Sequence, residues 1–344
     1  MDNIIEYLRK IRKQAQIKSK YRAKYAFVGV GNHSINNLYP IIDYLHIPLK
    51  YILTKTPETA KIINKNNCFI EVTTNFEKVL NDSEIKGIFI SASPKSHYEL
   101  VKKTLQNNKN VYVEKPPCLS ILELLDLIET ENKTNNFCVV GLQKRYSECT
   151  KILSRKLKLP NVISYNYRFL VGDYPEGDNI FDLFIHPLDL VCYLFGNYKI
   201  ISMAKTNFNN DSVFLQIRHN NIIGNIELST QYSWKTPLEH LIINTNSGIY
   251  EMQNHQILTY ENKPGTLFSI PKDKIINFVP ERKILFNGNT FLPIFATNQI
   301  VSQGYFSEIQ TFADLCEGNK TVNKSNLSSL KNTFNLISEI KNYV

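Results

Sequence analysis

The chain has 344 residues, 43% of them hydrophobic and 21% charged, with a formal net charge of +9. That length fits two domains of ordinary size, and the composition is globular, excluding a disordered or fibrous chain. No apolar run reaches the roughly 18 residues of a membrane span. The first residues, MDNIIEYLRK, hold no apolar stretch with a small-residue cleavage site, so a cytoplasmic location is expected.

Residues 1–24 contain eight Lys/Arg against two Asp/Glu, a net of +6. Most of the basic excess is therefore in a leader, and no groove of interleaved basic and aromatic residues follows. A nucleic-acid partner is not expected. Ile4, Leu8, Ile11 and Ala15 fall near helical spacing, which predicts a basic amphipathic helix over 2–20. The six cysteines (Cys68, Cys118, Cys138, Cys149, Cys192, Cys316) form no CxxC pair and no zinc-spaced cluster, so they read as reduced thiols.

In chain order, YAFVGVGNHSINNLYPIIDYL (25–45) reads as strand, glycine turn and helix. LKYILT (49–54) is a strand, PETAKIINKNN (57–67) a helix and CFIEVTT (68–74) a strand. FEKVLND (76–82) is a helix and GIFISAS (87–93) a strand. HYELVKKTLQNN (97–108) is a helix and NVYVEK (110–115) a strand. Residues 120–136 are a helix and FCVVGLQ (137–143) a strand. Strands alternating with helices predict a doubly wound parallel sheet, and their near-continuous apolar character fits a sheet covered on both faces.

After about residue 150 the rhythm changes. KILSRKLKL reads as one more helix. Strands are expected at 162–171, 199–208, 212–219, 222–234, 238–246 and 248–253, with a helix near 180–195. Helices 306–318 and 325–344 close the chain. The expected fold is α/β plus α+β, a Rossmann domain (25–145) and then a mostly antiparallel open-sheet domain (146–325). The lead helix (1–24) and a terminal helix (326–344) flank them.

Three stretches carry chemistry. Gly29-Val30-Gly31-Asn32-His33-Ser34 is a dinucleotide turn with serine at the third glycine position. The first glycine permits the turn, the second lets backbone approach a pyrophosphate, and the helix start meets the phosphate. The second strand ends in Thr54 and Lys55 with no carboxylate to hold a ribose 2′-hydroxyl. Lys55 can pair with a 2′-phosphate, which tilts NAD(H) or NADP(H) toward NADP(H). Lys115 follows Glu114 at the carboxyl end of a late strand, before two prolines that fix the backbone. There a lysine can donate to a substrate oxygen, and Glu114 can position it or the cofactor. Finally, Asp182, His186 and Asp189 lie at i, i+4 and i+7, one face of a helix, as an imidazole oriented for acid–base work by two carboxylates. No cysteine joins them, so no metal is expected.

Together with ISASPKSHYELV (90–101), VGLQKRYS (140–147) and GYFSEIQTFAD (304–314), these stretches resemble the Gfo/Idh/MocA oxidoreductases, in wording the MviM-like branch. The resemblance runs from about residue 25 to the end. It implies that Lys115 is the catalytic lysine, His186 the proton-transferring histidine and Asp182 a substrate-orienting aspartate. Ser91, Ala92, Ser93 and His97 match the segment lining the nicotinamide half of the cofactor, and Arg145 and Tyr146 an arginine–aromatic pair near the substrate. It further implies a homodimer or tetramer joined through the open sheet face, and hydride transfer at a secondary alcohol or ketone of a sugar, cyclitol or nucleotide-sugar. The alternative is a catalytically inactive NAD(P)-binding regulator or partner-binding protein of the same fold. Phe184 stands where the family often has glycine and only Gly177 remains of an upstream glycine cluster, so substrate identity does not carry over.

Overall fold

The computed structural model describes residues 4, 6–7, 20–59, 70–173, 177–206, 212–277, 280–288 and 299–343. Most of the expected lead helix, Cys68 and the expected helix beyond residue 59 lie outside the described residues. The chain divides into two compact units, Met1–Leu142 with Tyr305–Lys331, and Gln143–Gly304 with Asn332–Val344. The first boundary lies three residues from the expected one. The second corrects the expectation that 146–325 is continuous, because Tyr305–Lys331 returns to the first unit.

The first unit holds strands β1 (Lys24–Val28), β2 (Leu49–Leu53), β3 (Glu71–Thr73), β4 (Ile85–Ile90), β5 (Asn110–Glu114) and β6 (Cys138–Gly141). Their order is β3-β2-β1-β4-β5-β6, and every pairing is parallel. The order reverses between β1 and β4, the switch point where such sheets bind ligands at their carboxyl ends. Tyr25–Val28, Ile88–Ile90 and Val111–Val113 are buried. The returning helix Tyr305–Cys316 sets Phe312 edge-on against Phe89, ring centres 4.9 Å apart, within a cluster that includes Tyr25 and Tyr112. Local chemistry fixes helix starts as well. Ser120 accepts from the Glu123 amide, and the Glu123 carboxylate accepts from Leu119 N–H, a reciprocal cap on Ile121–Asn132.

The second unit holds β7 (Val162–Leu170), β8 (Lys199–Lys205), β9 (Ser212–His219), β10 (Ile222–Ser229), β11 (Leu238–Thr245), β12 (Gly248–Gln253), β13 (Ile257–Asn262), the short hairpin β14 (Thr266–Leu267) and β15 (Ile270–Pro271), and β16 (Arg282–Asn287). The last four were not expected from sequence. The main sheet runs β16-β13-β12-β11-β7-β10-β9-β8, antiparallel except where β7 meets β10. On β7, buried Tyr165, Tyr167 and Phe169 alternate with Asn166 and Arg168 on the other face. The inner face is covered by the helix Ile185–Phe195, whose Phe195 stacks on Tyr165 at 4.3 Å between ring centres. Gly224 is required beneath that stack, since a Cβ there would lie 1.9 Å from the Tyr165 ring. The outer face carries a polar ladder, Gln216 to Asn225 to Asn166, beside the pair Arg168–Glu227.

Candidate active site

In the first unit, β1 runs into Gly29, whose φ of +92° and position 2.4 Å (as a hypothetical Cβ) from the Ser91 carbonyl oxygen admit only glycine. Gly29 N–H bonds the Leu53 carbonyl and Ser91 N–H bonds that of Val28, closing the strand ends around the turn. Gly31 has nothing within 4 Å of where a Cβ would sit, so the turn leaves open space at the residue expected to meet phosphate. Ser34 explains its own presence. Its hydroxyl accepts from Gly31 N–H at 3.0 Å, is 3.4 Å from the Gly29 carbonyl, and receives Ser91 Oγ at 3.4 Å. The third-position serine therefore braces the turn from inside, at 1% exposure. The π-turn Ser34–Leu38 then runs directly into the helix Tyr39–Tyr44. Asn32 is exposed at its start.

At the end of β2, Thr54 is buried and donates to the Thr56 carbonyl, while Lys55 is exposed. Past β4, Ser93 precedes the helix Pro94–Gln106, and its hydroxyl meets Ser96 at 3.1 Å. His97 differs from expectation. It is 1% exposed, with Nδ1 2.7 Å from the Pro116 carbonyl and Nε2 2.9 Å from that of Ala92. It staples the β5 end to the Ala92 segment, which is a positioning role, and its side chain does not line an open surface. Burial holds its pKa below the usual imidazole value.

Lys115 is partly buried and is joined to Pro116 by a cis peptide bond. Glu114, 5% exposed, accepts from the Tyr112 hydroxyl at 2.9 Å and faces His33 Nε2 at 3.4 Å. Tyr112 also lies 3.0 Å from Glu308 of the returning helix. Burial alone would raise the Glu114 pKa, but His33, Tyr112 and Lys115 outweigh it and hold the carboxyl below its ordinary value. Sequence spacing contained no sign of the Glu308 contact, 196 residues away.

In the second unit, the π-turn Asn179–Phe184 opens the helix that carries His186. Asp178 caps it, accepting from Ile180 and Phe181 N–H, and is paired with Lys341. Asp182 accepts from Asp178 N–H at 2.8 Å, so one carboxylate oxygen is engaged by the helix start. His186 is partly exposed. Asp189, expected to orient His186, is occupied elsewhere. Its oxygens receive Arg145 Nε at 2.7 Å, Arg145 Nη2 and the Thr333 hydroxyl at 3.0 Å, all buried. Arg145 is 1% exposed and lies over the Tyr193 ring, and Tyr146 is equally buried. Both are interior residues of this unit.

Sequence reading also missed a neighbouring buried network. Glu239 receives Lys144 at 2.6 Å and Tyr167 at 2.5 Å, and lies 3.0 Å from His255 Nε2. His255 Nδ1 is in turn 2.7 Å from Ser147. Burial would raise the Glu239 pKa, but Lys144 and His255 override it and keep the carboxylate ionised. Glu239 lies 95 residues from Lys144 and His255 108 from Ser147, beyond any local spacing rule.

A parallel sheet with strand order 3-2-1-4-5-6, a glycine turn at the switch point and open space beside its second glycine define a dinucleotide-binding Rossmann domain. Residues 23–142 match the model described as "Oxidoreductase family, NAD-binding Rossmann fold". That match covers the Rossmann domain of the Gfo/Idh/MocA oxidoreductases and about a third of this chain. The chain is similar to the uncharacterized oxidoreductase YhhX of Escherichia coli, 25% identical over 190 residues, 50% of this chain and 53% of that protein. The chain thus matches about half the length of such a relative. A dehydrogenase (MviM) from Clostridium difficile shares the fold with a TM-score of 0.77 at 19% identity, covering 94% of this chain and all of that one. Levoglucosan dehydrogenase, solved with NADH and levoglucosan, aligns with a TM-score of 0.75 at 13% identity over 93% and 96% of the two chains. Among the described residues no helix is long and apolar enough to cross a membrane.

Proposed function

We propose that the protein is an NAD(P)-dependent dehydrogenase or reductase acting on a secondary alcohol or ketone of a sugar, cyclitol or nucleotide-sugar. The observation that carries this is Lys115, at the carboxyl end of β5 in an NAD-binding sheet and held by the His97 staple on Pro116. The residues of the turn fit a dinucleotide. Gly29 and Gly31 give the close approach, Asn32, His33 and Ser34 form the helix start, and Ser91, Ala92 and Ser93 follow the adjacent strand. When bound, the nicotinamide would supply the hydride acceptor or donor.

Lys115 donates a hydrogen bond to the reacting oxygen and stabilises charge growing on it. His186 takes the hydroxyl proton in the oxidation direction and returns it in reduction. Asp182, four residues before His186, orients the substrate through its carboxylate. Thr54 and Lys55 favour NADP(H), since Lys55 brings a cation and neither brings a carboxylate. The polar ladder on the outer sheet face suits a homo-oligomeric contact. Levoglucosan dehydrogenase, with an anhydrosugar and NADH in its structure, supports the substrate class.

The test is thermal stabilisation by NAD⁺, NADH, NADP⁺ and NADPH, followed by a polyol and sugar screen with Lys115→Ala as control. At a hundred times Kd the cofactor adds about 2.7 kcal/mol. Absence of any shift, with no nucleotide already bound, would refute the reading. So would a Lys115→Ala variant that retains full turnover.

A further inference from the structure

We propose that the cofactor turn takes up a proton at His33 when it binds a dinucleotide, so that the bound diphosphate and the Glu114 carboxylate share one imidazolium between them. This rests on the reading that the turn holds NAD(P).

The turn contains a conflict of charge. A diphosphate brought to the start of the helix carries two negative charges. Glu114, at the neighbouring strand end, is a third, and at 5% exposure it has little water to screen it. His33 is the turn residue that faces it, with Nε2 3.4 Å from Glu114 Oε1. The other ring nitrogen, Nδ1, lies 3.1 Å from the Asn37 side-chain amide on the following turn of helix. With Asn37 donating to Nδ1, the neutral ring carries its proton on Nε2, toward Glu114. A second proton makes Nδ1 a donor as well. An incoming phosphate oxygen, or the turned-over Asn37 amide, can accept it.

The surrounding groups leave His33 as the adjustable charge. From β5 it meets Glu114, with Lys115 beyond, and Tyr112 holds the same Glu114 oxygen. From the returning helix the Tyr305 ring lies 5.8 Å away, and Glu308 stands behind Tyr112. Burial lowers the imidazole pKa and Lys115 lowers it further, but the charge and hydrogen bond of Glu114 outweigh both, and the net shift is upward. A diphosphate adds to the Glu114 side of that balance. Proton and cofactor binding are therefore coupled reciprocally: cofactor binding draws a proton in, and raising the pH weakens the cofactor.

The experiment is calorimetric titration of the full chain with NAD⁺ and NADP⁺ at pH 6.5, 7.5 and 8.5, each in phosphate and in Tris. Buffers of different ionisation enthalpy report the protons exchanged. The expected result is net uptake of up to one proton per dinucleotide, with Kd rising up to tenfold per pH unit on the alkaline side. In His33→Asn, which cannot titrate, uptake should vanish and Kd should become nearly independent of pH. Zero proton uptake by the native chain, with binding intact, would overturn the proposal without touching the dehydrogenase reading. Equal uptake in His33→Asn and the native chain would overturn it as well. Failure of every dinucleotide to bind either protein would instead remove the reading on which it stands.

Discussion

Replacing Asp189 by Asn separates two accounts of this residue. Its spacing from His186 suggests a carboxylate that tunes the acid–base imidazole, whereas the structure gives its oxygens to Arg145 and Thr333. Both ions of the Arg145–Asp189 pair are at most 2% exposed. Asn keeps the shape but removes the countercharge and leaves a buried guanidinium uncompensated. Breaking a buried pair in this way costs about 3–5 kcal/mol. At about 2–4 °C per kcal/mol for a unit of this size, Tm should fall by roughly 6–20 °C. Removing both charges in Arg145→Met/Asp189→Leu should recover most of the loss, since well-packed apolar replacements of buried pairs are often neutral. Calorimetry or thermal melts of the two variants give the stabilities, and pH–rate profiles give the chemistry. The double variant should keep the acid limb of the native profile. If it remains as unstable as Asp189→Asn, the ion-pair account is wrong. If that limb moves or turnover falls by the 10²–10⁴ typical of a lost acid–base group, Asp189 serves His186 after all.

Gly29→Ala should abolish dinucleotide-dependent stabilisation, because a methyl group would sit 2.4 Å from the Ser91 carbonyl oxygen at a φ of +92°; a thermal-shift titration reads this directly. Lys55→Glu should lower the preference for NADPH over NADH by about tenfold, near 1.4 kcal/mol, in paired Kd measurements. His219 is buried, with its pKa lowered by burial while Tyr165 lies 2.9 Å from Nε2 and the Gly196 and Asn197 carbonyls face Nδ1. The folded state therefore binds its proton less readily than the unfolded one. The stability this supplies is present above the unfolded imidazole value near 6.5 and lost as pH falls below it, by at most about 1.4 kcal/mol per unit. Denaturant melts from pH 7.5 to 5 should show that loss, and His219→Gln should flatten it.

What could be read from sequence was local. β1, its glycine turn and the strand ending in Glu114 announce themselves by apolar runs and by Gly and Pro, whose backbone constraints act within a few residues. The helix of His186 was legible for the same reason. Spacing also placed Asp182, His186 and Asp189 on one helix face, but it cannot reveal which distant group competes for a carboxylate. Arg145 lies 44 residues before Asp189 and Thr333 lies 144 after it. His97 shows the same limit, since its partners are carbonyl oxygens, which no side-chain pattern marks. β16 escaped notice because its outward residues are poorly buried: Ile284 is 67% exposed, which blurs the two-residue alternation of a strand.

The return of Tyr305–Lys331 to the first unit also sets an order of events during biosynthesis. The six strands of that sheet have all been synthesised once Gly141 is added, yet Phe312, whose ring meets Phe89 and Tyr112, comes after the intervening segment 143–304. At 5–20 residues per second, those roughly 160 residues take about 8–30 s to synthesise. For that interval the nascent sheet exposes an aromatic face that its own helix has yet to cover. The first unit to emerge is therefore among the last to be completed, and a chain arrested before Tyr305 presents a sticky surface suited to chaperone capture or premature aggregation.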